Sequence, residues 1–248
     1  MASENLIYGL HVIDRLLATK PQQILTVYVA SDREDSKIAN IITQVNQHGI
    51  ALERVSKKQL SQWLNHENHQ GVAAKIRPSV VLSQQDLMEI LENSQTPPLL
   101  LILDGVLDPH NLGACMRTAV AASVTAIIIP KDRAVSLTPT VRKVASGAAD
   151  FIPLIEVTNL VRLMDELKKR GVWIAGASLK ATKTLYQTDL KGPLAIVLGA
   201  EEGGLKRLTE ENCDLLMKIP IDPAMESLNV SVAAGICLFE ALRQRTLP

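Results

Sequence analysis

Aromatic side chains are scarce, with two Phe, three Tyr and two Trp in 248 residues. So few rings argue against a stacking platform for single-stranded bases. No sign of charge is in excess: 26 Lys and Arg balance 26 Asp and Glu. A whole-molecule field that steers nucleic acid is therefore excluded, and any such contact must come from local patches. The three cysteines, Cys115, Cys213 and Cys237, show no CxxC spacing. That excludes a thiolate metal cluster or a disulfide framework and reads as core cysteines in a reducing compartment. Long apolar runs are missing too. The longest nearly uncharged stretch, Leu228–Phe239, is well short of the roughly 20 residues a bilayer span needs. MASENLIYGLHVI at the N-terminus lacks the basic region and long apolar core of a signal peptide. The expectation is a soluble, cytoplasmic protein. No GxGxxG follows a strand pattern, and neither a GxSxG elbow nor an HExxH helix occurs. GAEEGGLK imitates a phosphate loop but has Leu205 where that loop needs lysine.

What is present divides in two. Residues 5–76 alternate helix and strand: LIYGLHVIDRLLA predicts an amphipathic helix, ILTVYVA a strand, Ser36–Gln47 a helix, GIALERV a strand, Lys57–Leu64 a helix and GVAAKI a strand. Residues 77–98 read as a linker with one embedded helix, opened by Arg77-Pro78 and closed by Pro97-Pro98. Residues 99–248 again alternate, with LLLIL, TAIIIP, FIPLIEV, VWIAGA, Leu194–Leu198 and Leu215–Ile219 as extended segments between helices. Short, wholly apolar strands separated by helices predict an α/β fold with a mainly parallel sheet covered on both faces.

In such sheets ligands lie beyond the carboxyl ends of the strands. The loops Gly199–Leu205 and Ile219–Asn229 are therefore the first candidates for a site. A third is DGVLDPHNLGACMRTAVAA after LLLIL. Asp108, Pro109 and Asn111 are helix-start residues. Gly113 and Arg117 lie one turn apart, which would let Arg117 lean back over Gly113 toward an anion; a surface arginine beside a helix-contact glycine fits the spacing equally well. His66 and His69 could suit a metal by spacing, but two polar loop histidines are the simpler reading. Arg15, Lys20, Lys57, Lys58 and Arg77 in the first part, and Lys131, Arg133, Arg142, Lys143, Lys206 and Arg207 in the second, could form basic patches.

NLGACMRTA, LGAEEGGL and IPIDPAMESLNVSVAAGI, in this order and at these spacings, resemble the three motifs of the SpoU, or TrmH-type, branch of the SPOUT methyltransferases. The resemblance covers residues 99–245, and it departs from the family at Ile221 and Pro223, where methionine and glycine are usual. The N-terminal part resembles the ribosomal-protein-L30-like substrate-binding domain of some members. The resemblance implies a C-terminal α/β trefoil-knot domain, S-adenosyl-L-methionine as donor, no metal, a ribose 2′-hydroxyl as acceptor and a homodimer formed through the apolar terminal helix. It implies Leu198, Gly199, Ile219, Ser227, Leu228 and Asn229 at the cofactor, and Arg117, Asn111, Glu201, Ser227 and Asn229 at the chemistry. Arg117 would be either a base or a cation that anchors phosphate and stabilises the forming alkoxide, with Glu201 orienting it. The implied substrate is a guanosine in the peptidyl-transferase loop of 23S rRNA; a transfer-RNA 2′-O-methyltransferase and a catalytically silent rRNA-binding assembly factor are the alternatives.

Overall fold

The structure is a computed structural model that describes residues 6–64, 69–77, 80–201 and 203–246. The chain divides into two compact units, Met1–Ser79 and Val80–Pro248.

In the first unit, β1 (Leu6–Tyr8), β2 (Ile24–Ala30), β3 (Ala51–Val55) and β4 (Val72–Ile76) form a sheet in the order β1-β4-β2-β3. Helices α1 (Leu10–Thr19), α2 (Ser36–Gln47) and α3 (Lys57–Trp63) complete it. The predicted first helix is thus two elements. Gly9 takes φ +97°, a conformation few residues other than glycine adopt. The residues before it pair antiparallel with β4, Ile7 opposite Ala74. Three residues are too few to display a period of two, so only tertiary pairing reveals this strand. Of the two histidines, His66 lies outside the described residues. His69 is buried, accepts the Gly71 N–H at Nδ1 (3.1 Å) and places Nε2 3.0 Å from Ser61 Oγ. It therefore serves a loop, and burial lowers its pKa.

The second unit is a six-stranded parallel sheet in the order β10-β8-β9-β5-β6-β7. Its strands are β5 (Leu99–Asp104), β6 (Ala126–Pro130), β7 (Leu154–Val157), β8 (Trp173–Ala177), β9 (Leu194–Gly199) and β10 (Leu215–Met217). One face is covered by α5 (Pro109–Ala121), α6 (Pro139–Ala145), α7 (Ala148–Phe151) and α10 (Val230–Thr246), the other by α4 (Gln84–Glu92) and α8 (Leu160–Lys169). Alternate residues of β5 serve the two sides: Leu99, Leu101 and Leu103 join the first core, Leu100 and Ile102 the second. This two-sided burial is why the strands read as continuous apolar runs.

The helix expected inside the 77–98 linker is α4, and it packs in the second core through Leu87 and Met88. Leu82 also bonds β7 backbone on both sides, donating to Leu154 and accepting from Glu156. From Val80 onward this segment belongs to the second unit. Phe151, expected in an extended segment, ends the short helix α7 instead, and β10 stops at Met217 rather than Ile219. A short helix α9 (Arg207–Glu211), which has no apolar periodicity to announce it, follows the β9 loop.

The terminal helix is fastened at its far end. Arg245 donates to the carbonyls of Pro97 (3.1 Å), Pro98 (3.0 Å) and Gly192, at the amino ends of β5 and β9. Arg245→Ala removes these bonds, although Pro98 keeps the Leu194 N–H (2.9 Å), and is expected to cost about 1–2 kcal/mol, read as a lower denaturant midpoint. One turn earlier, buried Glu240 accepts both Nε and Nη2 of Arg243 at 2.8 Å, and Gln244 Nε2 at 2.8 Å. These donors, Arg243 first, hold its pKa at about 2, below the unfolded value of about 4.3. The stabilisation is therefore complete above about pH 4.3 and is lost as pH falls toward about 2. Glu240→Gln should remove that segment of the acid-unfolding curve. Cys115 and Cys237 are buried in the first core, and burial pushes both thiols up to about 12; they are packing residues. No described helix is long and apolar enough to cross a membrane.

Candidate functional site

At the end of β9 the chain turns back on itself. Gly204 N–H donates to the Ala200 carbonyl (3.2 Å), closing a tight loop. Gly203 (φ +92°) and Gly204 (φ +67°) supply the left-handed turn. The loop lies so close to the strand that a Cβ on Gly199 would stand 2.0 Å from Gly204 C and 2.3 Å from Leu205 N. Gly199 is thus required by the approach of the chain's own backbone. The loop is also pinned from behind. Asp104, 2% exposed at the end of β5, accepts Lys206 Nζ and Thr209 Oγ1, each at 2.7 Å. Lys206 is therefore spoken for and is not a free cation of the basic patch. Arg142 and Arg207 are likewise paired, with Asp150 (3.3 Å) and Glu211 (2.9 Å).

Beyond this loop lies a cavity of about 420 Å³. Its walls come from the carboxyl ends of β8, β9 and β10 and from the segment leading into α10, the place that open α/β sheets reserve for ligands. Leu198, Gly199, Ile219, Ser227 and Leu228 all line it. Apolar Leu198, Ile219 and Leu228, with backbone polar groups between them, suit a flat heteroaromatic group bound edge-on to the main chain. The volume fits a nucleoside-sized molecule. Sequence reasoning missed one wall. Glu210 accepts Ser178 Oγ (2.6 Å) and Lys180 Nζ (2.7 Å), and all three line the cavity. Lys180, then Ser178, lowers the Glu210 pKa. Ser178 and Lys180 follow the end of β8 and were reachable by the strand-end rule; Glu210, on α9, had no signal.

Asn229, immediately before α10, is not among the residues that line the cavity and joins a cluster at its edge. Its Nδ2 donates to Asn111 Oδ1 (2.9 Å) and to Glu201 Oε1 (2.6 Å). Asn111 Nδ2 donates to the same Glu201 oxygen (3.0 Å). Residues from all three candidate segments, about 90 and 118 positions apart in sequence, thus meet at one carboxylate that also lines the cavity. Asp108, accepting the His110 N–H (2.9 Å), starts α5 and so aims Asn111 inward.

Arg117 stands apart from this cluster. It is exposed, and its side chain makes no hydrogen bond or ion pair with any described residue. Six residues separate it from Asn111, which on a helix is about 120° around and about 9 Å along. The expected pairing with Glu201 is absent; the two asparagine amides occupy Glu201 instead. Gly113 does not serve Arg117 either. A Cβ there would stand 2.7 Å from Val144 Cβ and 3.0 Å from the Val141 carbonyl, so this glycine permits the packing of α5 on α6.

The chain is similar to known proteins over both of its units. Residues 98–239 match the model of the SpoU rRNA methylase family, and residues 6–80 match that of RNA 2′-O ribose methyltransferase substrate binding. The 23S rRNA (guanosine-2′-O-)-methyltransferase RlmB of Photobacterium profundum is 50% identical over 245 residues, covering 99% of this chain and 100% of its own. That of Pseudomonas putida is 46% identical, covering 96% of each. Among solved structures, an RNA 2′-O ribose methyltransferase superposes with TM-score 0.68 at 25% identity, over 98% of this chain and 89% of its own. AviRb of Streptomyces viridochromogenes, solved with the cofactor AdoMet, superposes with TM-score 0.70 at 21% identity, over 96% and 89%; it attests the fold.

Proposed function

Because the chain belongs to the SpoU rRNA methylase family, we propose that it transfers the methyl group of S-adenosylmethionine to the ribose 2′-hydroxyl of a guanosine in 23S rRNA, in the peptidyl-transferase loop. The observation that carries this reading is the likeness of both units, end to end, to the RlmB enzymes, together with a nucleoside-sized cavity bordered by segments of the matched motifs. Residues 5–76 hold the RNA and residues 99–248 form the knotted transferase domain, to which the segment from Val80 onward is packed.

In this reading Leu198, Gly199, Ile219, Ser227 and Leu228 hold the donor, with Asn229 completing the loop. The sulfonium is already activated, so the protein's task is orientation. The 2′-oxygen bonds to the methyl carbon, the carbon–sulfur bond breaks with its electron pair going to sulfur, and the hydroxyl proton passes to solvent water. Asn111, Glu201 and Asn229 form a fixed polar floor for the ribose. Arg117 acts as a cation that anchors a neighbouring phosphate and steadies the developing alkoxide. Its exposure suits a group that waits for RNA, and arginine stays protonated in nearly all protein settings.

The same reading includes a homodimer in the cytoplasm. Helix α10 is apolar almost all round, yet Val232 and Phe239 are 50% and 48% exposed in the single chain. A second copy packed on this helix covers them, and Arg117 lies on the adjoining α5, where Gly235 of α10 approaches Thr118. Light scattering at micromolar concentration should return twice the chain mass. The reaction itself is tested by transfer of labelled methyl onto large-subunit rRNA lacking the mark, with mapping of the modified ribose. Label on transfer RNA alone, or none on either, overturns the reading.

A further inference from the structure

The cluster beside the cavity has a direction, which follows from counting donors and acceptors. A backbone N–H can only donate, and Ser231 N–H lies 3.0 Å from Asn229 Oδ1. That oxygen is therefore the carbonyl oxygen, and the Ser231 hydroxyl, 2.6 Å away, must donate to it as well. With Oδ1 doubly held, Asn229 can offer only its NH₂ to the other side. Both hydrogens are used there, one on Asn111 Oδ1 and one on Glu201 Oε1. Asn111, now an acceptor at Oδ1, must turn its own NH₂ toward Glu201 Oε1. Among the described residues one donor hydrogen is left over, the second N–H of Asn111, and one carboxylate oxygen, Oε2 of Glu201, takes no bond; the spare lone pairs on Asn111 Oδ1 and Ser231 Oγ can only accept. One donor beside one acceptor is the complement of a hydroxyl group, which is both.

We propose that Ser231 is a positioning residue that sets the direction of this amide relay, and that the pair left at its end, Asn111 Nδ2–H and Glu201 Oε2, receives the ribose 2′-hydroxyl. The Asn111 N–H donates to the hydroxyl oxygen, and the hydroxyl hydrogen points at Glu201 Oε2. One oxygen lone pair is thereby left free to face the methyl carbon. The inference rests on the proposed reaction and goes beyond it by assigning the hydroxyl's two partners and the group that orients them. Ser231 is not among the residues that line the cavity and acts through Asn229. With alanine there, Asn229 Oδ1 keeps one donor of two, so its amide and the whole relay loosen.

The test is a cycle between protein and substrate. A peptidyl-transferase-loop fragment of 23S rRNA is made with ribose or with 2′-deoxyribose at the methylated position. Its affinity is measured with full-length wild type, Ser231→Ala and Ser231→Thr, in the presence of the demethylated donor product so that no turnover occurs. The wild type is expected to prefer the ribose form by about tenfold, the worth of a well-placed hydroxyl. Ser231→Ala should shrink that preference to about twofold and lower kcat by a similar factor, with donor affinity unchanged. Ser231→Thr, which keeps the hydroxyl, should restore both. A preference that is the same in Ser231→Ala as in the wild type overturns the inference, and so does a wild type indifferent to the 2′-hydroxyl. Methyl transfer by the wild type to the same fragment is scored separately. Its absence would count against the proposed reaction rather than against the relay.

Discussion

Arg117→Ala is expected to reduce methyl transfer by about two to three orders of magnitude, the usual effect of deleting one preorganised group that stabilises transition-state charge. The donor's dissociation constant should move by no more than about twofold, because Arg117 is not among the residues that line the cavity. Nor should the fold suffer, since Arg117 is exposed and no described residue depends on it for a hydrogen bond. The loss should therefore fall on turnover and on RNA affinity. Arg117→Lys distinguishes the two roles an arginine could play here. Lysine keeps the charge but not the planar fork that grips phosphate through two parallel bonds, so an anchoring cation predicts partial activity with a raised KM for RNA. An arginine acting as base predicts the reverse: lysine gives up its proton more readily, and the variant would match or exceed the wild type at high pH. Near wild-type transfer by Arg117→Ala would remove Arg117 from the chemistry altogether.

The parts of the fold legible in the sequence were those buried on both sides. β5, β6 and β9 are sealed between two helical layers, and that environment permits hardly any polar residue, so the runs LLLIL, AIII and LAIVL announce themselves. β1 was illegible for the opposite reason. It is a three-residue edge strand whose pairing with β4 is decided across the sheet. At the site, strand-end loops gave the location, while the arrangement of side chains depended on what each polar atom had left to bond. Glu201 was expected to orient Arg117 from the resemblance of the motifs and the opposite charges. In the folded chain two amides from distant segments reach it first, and no spacing rule encodes that competition. Gly113 shows the same limit. A helical glycine signals close approach of something, but whether that is a side chain of the same helix or the next helix is a tertiary fact; here it is Val144 of α6.

Gly199→Ala should abolish donor binding while leaving most of the fold in place. The added methyl carbon would sit 2.0 Å from Gly204 C and 2.1 Å from its carbonyl oxygen, both backbone atoms that no rotamer change can move. Either β9 or the returning loop must shift. β9 is held on both sides by β5 and β8, whereas the loop is held at its base by Asp104 and across its neck by one bond of 3.2 Å. The loop is the part that yields, and it carries Glu201 and one wall of the cavity. Overpacking of this kind costs about 1–3 kcal/mol, so thermal unfolding should remain cooperative at a lower midpoint, while calorimetry with the donor gives no heat. Gly203→Ala is the control. A Cβ there meets nothing within 4 Å, so its only penalty is the φ of +92°, about 1–2 kcal/mol. If close approach at Gly199 is what shapes the cavity, Gly203→Ala weakens donor binding by about tenfold at most and Gly199→Ala eliminates it. Equal losses in the two variants would mean that the loop's left-handed turn, rather than its contact with the strand, holds the donor.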